Sequence, residues 1–152
     1  MSSTPIFPLT LETPAASPEE AHRYFSSRLS YETDASDVNY DMAQGFHDFI
    51  LLDVRSASAY DELHAQGAQS LPYRSINKES TASFSKEKLI IVYCWGPDCN
   101  AAVKAGVRLT TLGFQVKEIL GGIEYWTREG APVEGTRTKL RLTSRPTATH
   151  SE

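Results

Sequence analysis

The chain has two cysteines, Cys94 and Cys99, five residues apart, and Cys94 directly follows the apolar run Leu89-Ile90-Ile91-Val92-Tyr93. A cysteine at the end of a buried strand and ahead of a helix is placed for nucleophilic chemistry. The turn from strand to helix points backbone N–H groups inward, and the helix adds the positive end of its dipole. A thiolate held there is reactive near neutral pH. It can attack a sulfane sulfur or another electrophile, and the same N–H groups can hold the anion that results. The plain alternative is an inert thiol packing the end of a strand, since free cysteines are often buried. The residues alone leave both open.

The elements around Cys94 follow from patterning. Leu89 to Tyr93 is a run of apolar residues, the mark of a strand buried on both faces, and so is Phe49 to Val54. Ala101 to Leu112 is the expected helix after the cysteine loop, stopped by Gly113. Ser56 caps a helix to His64, Ala68 to Leu71 is a short strand, Val116 to Leu120 another, and Ile123 to Arg128 a short helix after the Gly121-Gly122 turn. Upstream, Ser17-Pro18-Glu19-Glu20 starts a helix with a cap, a first-turn proline and a capping-box acid, and Ala21, Tyr24, Phe25 and Leu29 follow at helical spacing. Apolar strands alternating with helices give an α/β domain with a mostly parallel sheet and helices on both faces. Ligands of such sheets sit at the carboxyl ends of the strands, where both Asp53 and Cys94 fall.

Size and composition set the frame. At 152 residues, 40% hydrophobic and 22% charged, the chain suits one globular domain. The expected organisation is an extended arm over 1–14, a domain over 15–135 with an insertion at 30–48, and a polar tail over 136–152. The insertion is expected to be a loop with a short helix near Val38 to Ala43. A formal net charge of -4 offers no basic excess for phosphates, which disfavours a nucleic-acid partner. No stretch approaches the apolar length of a membrane helix, and Met1 to Leu11 contains no Lys or Arg, unlike a signal peptide. A cytoplasmic protein is expected. Glu32, Asp34, Asp37 and Asp41 lack the glycine and final glutamate of a calcium loop, so a solvated face is expected rather than a metal site.

Several motifs together resemble the rhodanese family. Leu51-Leu52-Asp53-Val54-Arg55-Ser56 with Tyr60, His64 and Gly67-Ala68 resembles its first signature, and Ile91-Val92-Tyr93-Cys94 the strand into its active-site loop. Leu112-Gly113-Phe114 and Gly121-Gly122-Ile123-Glu124-Tyr125-Trp126 are similar to its closing motifs. The resemblance spans about Ser17 to Gly135, in order. It implies a rhodanese-like fold with a five-stranded, mostly parallel sheet, and Cys94 as the carrier of sulfur in a persulfide. The implied active-site loop is Trp95, Gly96, Pro97, Asp98, Cys99 and Asn100, with Tyr93 and Trp95 lining the pocket and Trp126 in the core.

The loop departs from the family pattern. It is about two residues longer than the common form, has no Lys or Arg, and contains Asp98. Leu63 and Gln66 stand where Gly and Pro are usual. Thiosulfate is therefore expected to be a poor donor. Cys99 has three readings: a thiol that resolves the persulfide or closes a disulfide, a packing residue at the helix start, or a bystander. Asp53 and Arg55 are supporting residues. Asp53 would accept hydrogen bonds from the loop's backbone, or the two would form a structural ion pair, the favoured reading for Arg55. His64 is read as structural.

The expected function is a sulfurtransferase that needs no cofactor and no metal. It would take sulfur from a small donor and pass it from Cys94 to a thiol or cyanide-type acceptor, or to an acceptor protein. No nucleic acid or membrane is expected as partner, and the chain is expected to be a monomer or homodimer. The alternative is a rhodanese-fold binding or regulatory module that turns nothing over. A phosphatase or arsenate reductase is disfavoured, because the Arg required six positions after the nucleophile is Asn100 here.

Overall fold

The computed structural model of the chain describes residues 7–137. The chain divides into two compact units, Met1–Ser30 and Tyr31–Glu152. In the first, a short 3-10 turn at Leu9–Leu11 precedes helix α1 (Pro18–Tyr31), whose first turn carries Glu19 and Glu20. Ser17 caps it as expected, its hydroxyl accepting the Glu20 N–H at 3.2 Å.

The second unit holds β1 (Glu32–Thr33), α2 (Ala35–Ala43), β2 (Phe49–Asp53), α3 (Ala57–Glu62), β3 (His64–Ala65), β4 (Gln69–Ser70), β5 (Leu89–Tyr93), α4 (Ala101–Thr111), β6 (Val116–Ile119), α5 (Gly122–Arg128) and β7 (Val133–Glu134). Five strands make one parallel sheet in the order β1-β6-β5-β2-β4. The α/β fold with a parallel five-stranded sheet is therefore as the sequence indicates. A separate antiparallel pair joins β3 to β7.

Leu51, Leu52, Ile90, Ile91, Val92 and Tyr93 are all buried, so both faces of the central strands are covered. That double burial is why β2 and β5 read as continuous apolar runs. Helix α4 packs on β5 and β6, and α2 packs with α5.

One segment differs from its sequence reading. The stretch taken as an insertion supplies β1, an edge strand paired with β6, and α2, whose Ala35 and Val38 are buried. Asp34 caps α2, its carboxylate accepting the Asp37 N–H at 2.8 Å. Two residues of edge pairing leave almost no hydrophobic pattern to read. Of the polar tail expected over 136–152, residues 138–152 lie outside the described residues. Before them, Thr136 and Arg137 donate their N–H groups to the carbonyls of Asp61 and Glu62.

Candidate active site

The chain runs outward from β2 to β4, then returns across β2 to β5 and continues to β6 in the other direction. The carboxyl ends of β2 and β5 therefore flank the switch point of the sheet, where parallel sheets open a crevice for ligands. Asp53 and Tyr93 are paired across these strands, and the Val54 N–H bonds the Tyr93 carbonyl at 3.1 Å. Cys94 follows immediately and is 3% exposed.

Beyond Cys94 the chain makes a tight turn. The Cys99 N–H donates to the Gly96 carbonyl at 3.2 Å, closing a four-residue turn with Pro97 at its second position. Proline pre-sets the backbone for that position. The turn brings Cys99 back to Cys94, and the two are joined by a disulfide with a Cα–Cα distance of 6.4 Å. Of the three readings of Cys99, the geometry matches the pairing one.

The loop is clamped from below by the start of α5. Ile123 and Glu124 donate their N–H groups to the carbonyls of Cys94 and Trp95 at 2.9 and 3.0 Å. Gly121 and Gly122 make this possible, with φ of 79° and 57°. A Cβ on Gly122 would lie 2.7 Å from the Trp95 carbonyl carbon, too close for any other residue without a shift. In the sequence these glycines read as a turn, and their role as the clamp does not show there. Two adjacent glycines just before a short helix were the available signal.

The supporting residues form a buried ion pair. Arg55 donates through Nη2 to Asp53 Oδ2 at 2.7 Å and through Nε to Oδ1 at 3.1 Å, and both side chains are buried. Arg55 also donates to the Leu63 carbonyl at 2.6 Å. Asp53 thus takes hydrogen bonds from Arg55, including one from the backbone N–H of Arg55 at 3.0 Å. The nearby guanidinium is the stronger donor for a buried carboxylate. The Arg55 guanidinium lies 4.5 Å from the centre of the Trp95 ring.

Neither Tyr93 nor Trp95, expected to line the pocket, is in the wall of the cavity that opens beside the loop. Trp95 is buried against Arg55. Tyr93 turns into the core, where its hydroxyl accepts the Ala65 N–H at 3.0 Å. Burial, with the Asp53 carboxylate nearby, pushes the Tyr93 phenol well above its usual range, so it stays neutral. Trp126 lies in the core as expected, donating to the Pro132 carbonyl at 2.8 Å. His64 stacks on Tyr60 at 3.6 Å and bonds its carbonyl through Nδ1.

A cavity of about 470 Å³ opens beside the loop. Residues 96–100 form one wall, with Val103, Glu118, Leu120, Gly121 and Tyr125 completing it. Cys99 lines this cavity and Cys94 does not. Its ionisable lining residues are Asp98, Glu118 and Tyr125, with no Lys or Arg. Glu118 pairs in register with Glu32 of β1, and burial followed by the Glu32 charge raises its carboxyl above the usual range.

Among the described residues no helix is long and apolar enough to cross a membrane. Residues 34–129 match the Rhodanese-like domain family. A crystal structure of a Bacillus halodurans protein superposes with a TM-score of 0.77 at 46% identity, covering 83% of this chain and 96% of that one. Thiosulfate sulfurtransferase 16, chloroplastic, of Arabidopsis thaliana is 30% identical over 105 residues, which is 58% of this chain and 86% of the plant protein. A probable molybdopterin-synthase adenylyltransferase of Porphyra purpurea is 28% identical over 103 residues, 67% of this chain. The chain spans only 26% of that algal protein's length.

Proposed function

Because the chain belongs to the rhodanese-like domain family, we propose that it is a sulfurtransferase carrying sulfane sulfur on Cys94. The observation that carries this reading is the position of Cys94. It stands at the carboxyl end of the central strand β5, at the switch point of the sheet, with its carbonyl held by the Ile123 N–H. In the reaction, the Cys94 thiolate attacks the outer sulfur of a donor such as thiosulfate. The new S–S bond leaves a Cys94 persulfide anion, and the old one breaks to release sulfite. A nucleophilic acceptor, a thiolate or cyanide, then takes the outer sulfur and restores the Cys94 thiolate. The disulfide with Cys99 withholds the nucleophile, so the working form is the reduced one.

The test uses reduced protein. Given a sulfane-sulfur donor, Cys99→Ser protein, in which only Cys94 is left to carry sulfur, should gain about 32 Da, removable by reductant, and wild type should convert cyanide to thiocyanate. Cys94→Ser should do neither while keeping its fold. Full transfer in Cys94→Ser would sink the assignment.

One observation favours the second reading, a binding module with no turnover. The cavity beside the loop holds carboxylates and no cation to receive an oxyanion. A reduced protein that gains no sulfur from any sulfane donor would support it.

A further inference from the structure

We propose that Cys99 is the resolving thiol for sulfur carried on Cys94, so that the chain also reduces sulfane sulfur to sulfide, using electrons from a dithiol. This rests on Cys94 as the sulfur carrier and adds a second fate for the same persulfide.

Three observations support it. The Gly96–Cys99 turn holds the two cysteines at bonding distance, so attack by Cys99 on a Cys94 persulfide needs no rearrangement of the fold. A nucleophile held in place by a short loop competes well with one arriving from solution, because its ordering is already complete. The second is the lining of the cavity. Its carboxylates and lack of cations disfavour an anionic acceptor such as cyanide, and admit more readily a dithiol that enters as the neutral thiol. The third is the asymmetry of exposure: Cys94 is 3% exposed, whereas Cys99 lines the cavity. The disulfide therefore offers a reductant one accessible sulfur, that of Cys99.

The Cys99 thiol, as its thiolate, attacks the Cys94 Sγ. An Sγ–Sγ bond forms, and the bond from Cys94 Sγ to the outer sulfur breaks. The outer sulfur leaves as HS⁻, with the proton that Cys99 gave up. The outer sulfur gains two electrons, and the cysteine pair loses two on becoming a disulfide. The dithiol enters the cavity uncharged; one of its thiols gives up its proton and attacks Cys99 Sγ, and the expelled Cys94 thiolate takes that proton up. The second thiol of the reductant frees Cys99, and the reductant departs as its own disulfide. One sulfane sulfur and one dithiol become one sulfide and one disulfide per cycle.

The experiment separates this step from sulfur loading itself. Wild-type protein and Cys99→Ser are reduced, loaded anaerobically with excess thiosulfate, and desalted with no acceptor or reductant added. Sulfide and intact mass are then followed over time. Wild type should release one sulfide per chain and settle about 2 Da below the dithiol mass, while Cys99→Ser should keep an adduct of about 32 Da and release none. A wild-type adduct as lasting as that of Cys99→Ser would overturn the inference and leave the sulfurtransferase reading standing. Failure of Cys99→Ser to take up sulfur would overturn both.

Discussion

The guanidinium of Arg55 lies between two partners, gripping the Asp53 carboxylate at 2.7 Å on one side and facing the Trp95 ring at 4.5 Å on the other. Through it, the end of β2 is tied to the residue that follows Cys94. Arg55→Met should leave a buried carboxylate without its counter-charge, at a cost of about 3–5 kcal/mol in urea unfolding. Adding Asp53→Asn should recover part of the loss, because the stranded charge is then gone. If the double variant is no more stable than Arg55→Met, the pairing is not the origin of the cost.

The clamp from α5 gives a second expectation. Gly122 has a φ of 57° and stands against the backbone of Cys94 and Trp95. Gly122→Ala should lose about 1–2 kcal/mol to backbone strain alone. It should also shift the loop, lowering the rate of sulfur uptake more than the stability loss explains. Stopped-flow loading of folded protein, paired with urea titration, separates the two. Normal uptake by a destabilised variant would show that the clamp holds the fold and not the loop.

Asp98 is the acid within the loop, and it lines the cavity. Asp98→Arg should lower the Michaelis constant for thiosulfate by roughly two- to fivefold, the effect of one exposed charge pair. Raised salt should erase much of the gain. An unchanged or higher constant would argue against charge in the loop as a brake on thiosulfate use.

Glu118 makes stability depend on pH. Its carboxyl is raised by burial and by Glu32, so the folded chain holds this proton more tightly than the unfolded chain does. Stability from this group is greatest below the ordinary carboxylate pKa. It falls as pH rises from that value through the raised one, and the deficit persists above it. Glu118→Gln should therefore raise the melting temperature near pH 7 and change it little near pH 4. Equal shifts at both values would point to a packing effect instead.

The sequence was most legible where burial is complete or a cap is local. Leu89 to Tyr93 announced β5 with its observed bounds, and the Ser56 hydroxyl accepts the Ala59 N–H as its position before α3 implied. Cys94 followed from the end of that strand. The direction of Tyr93 did not, because a strand apolar on both faces has no alternation to mark which side meets the site. Glu32-Thr33 looked like solvated loop, since an edge strand of two residues depends on its partner rather than on its own composition. Asp53 and Arg55 were visible as a pair, but which groups would take the carboxylate's lone pairs depended on the tertiary path of the cysteine loop. The β3–β7 pairing was hidden for the same reason, as four residues far apart in sequence carry it.

The clamp on the cysteine loop also has a direction in time. Cys94 leaves the ribosome well before Ile123 and Glu124, the residues whose N–H groups hold its loop. During synthesis the thiol therefore passes through an interval in which β5 has emerged but neither its neighbour β6 nor the clamp is available. The cysteine loop therefore takes its held shape late, only once the chain has been made as far as residue 124.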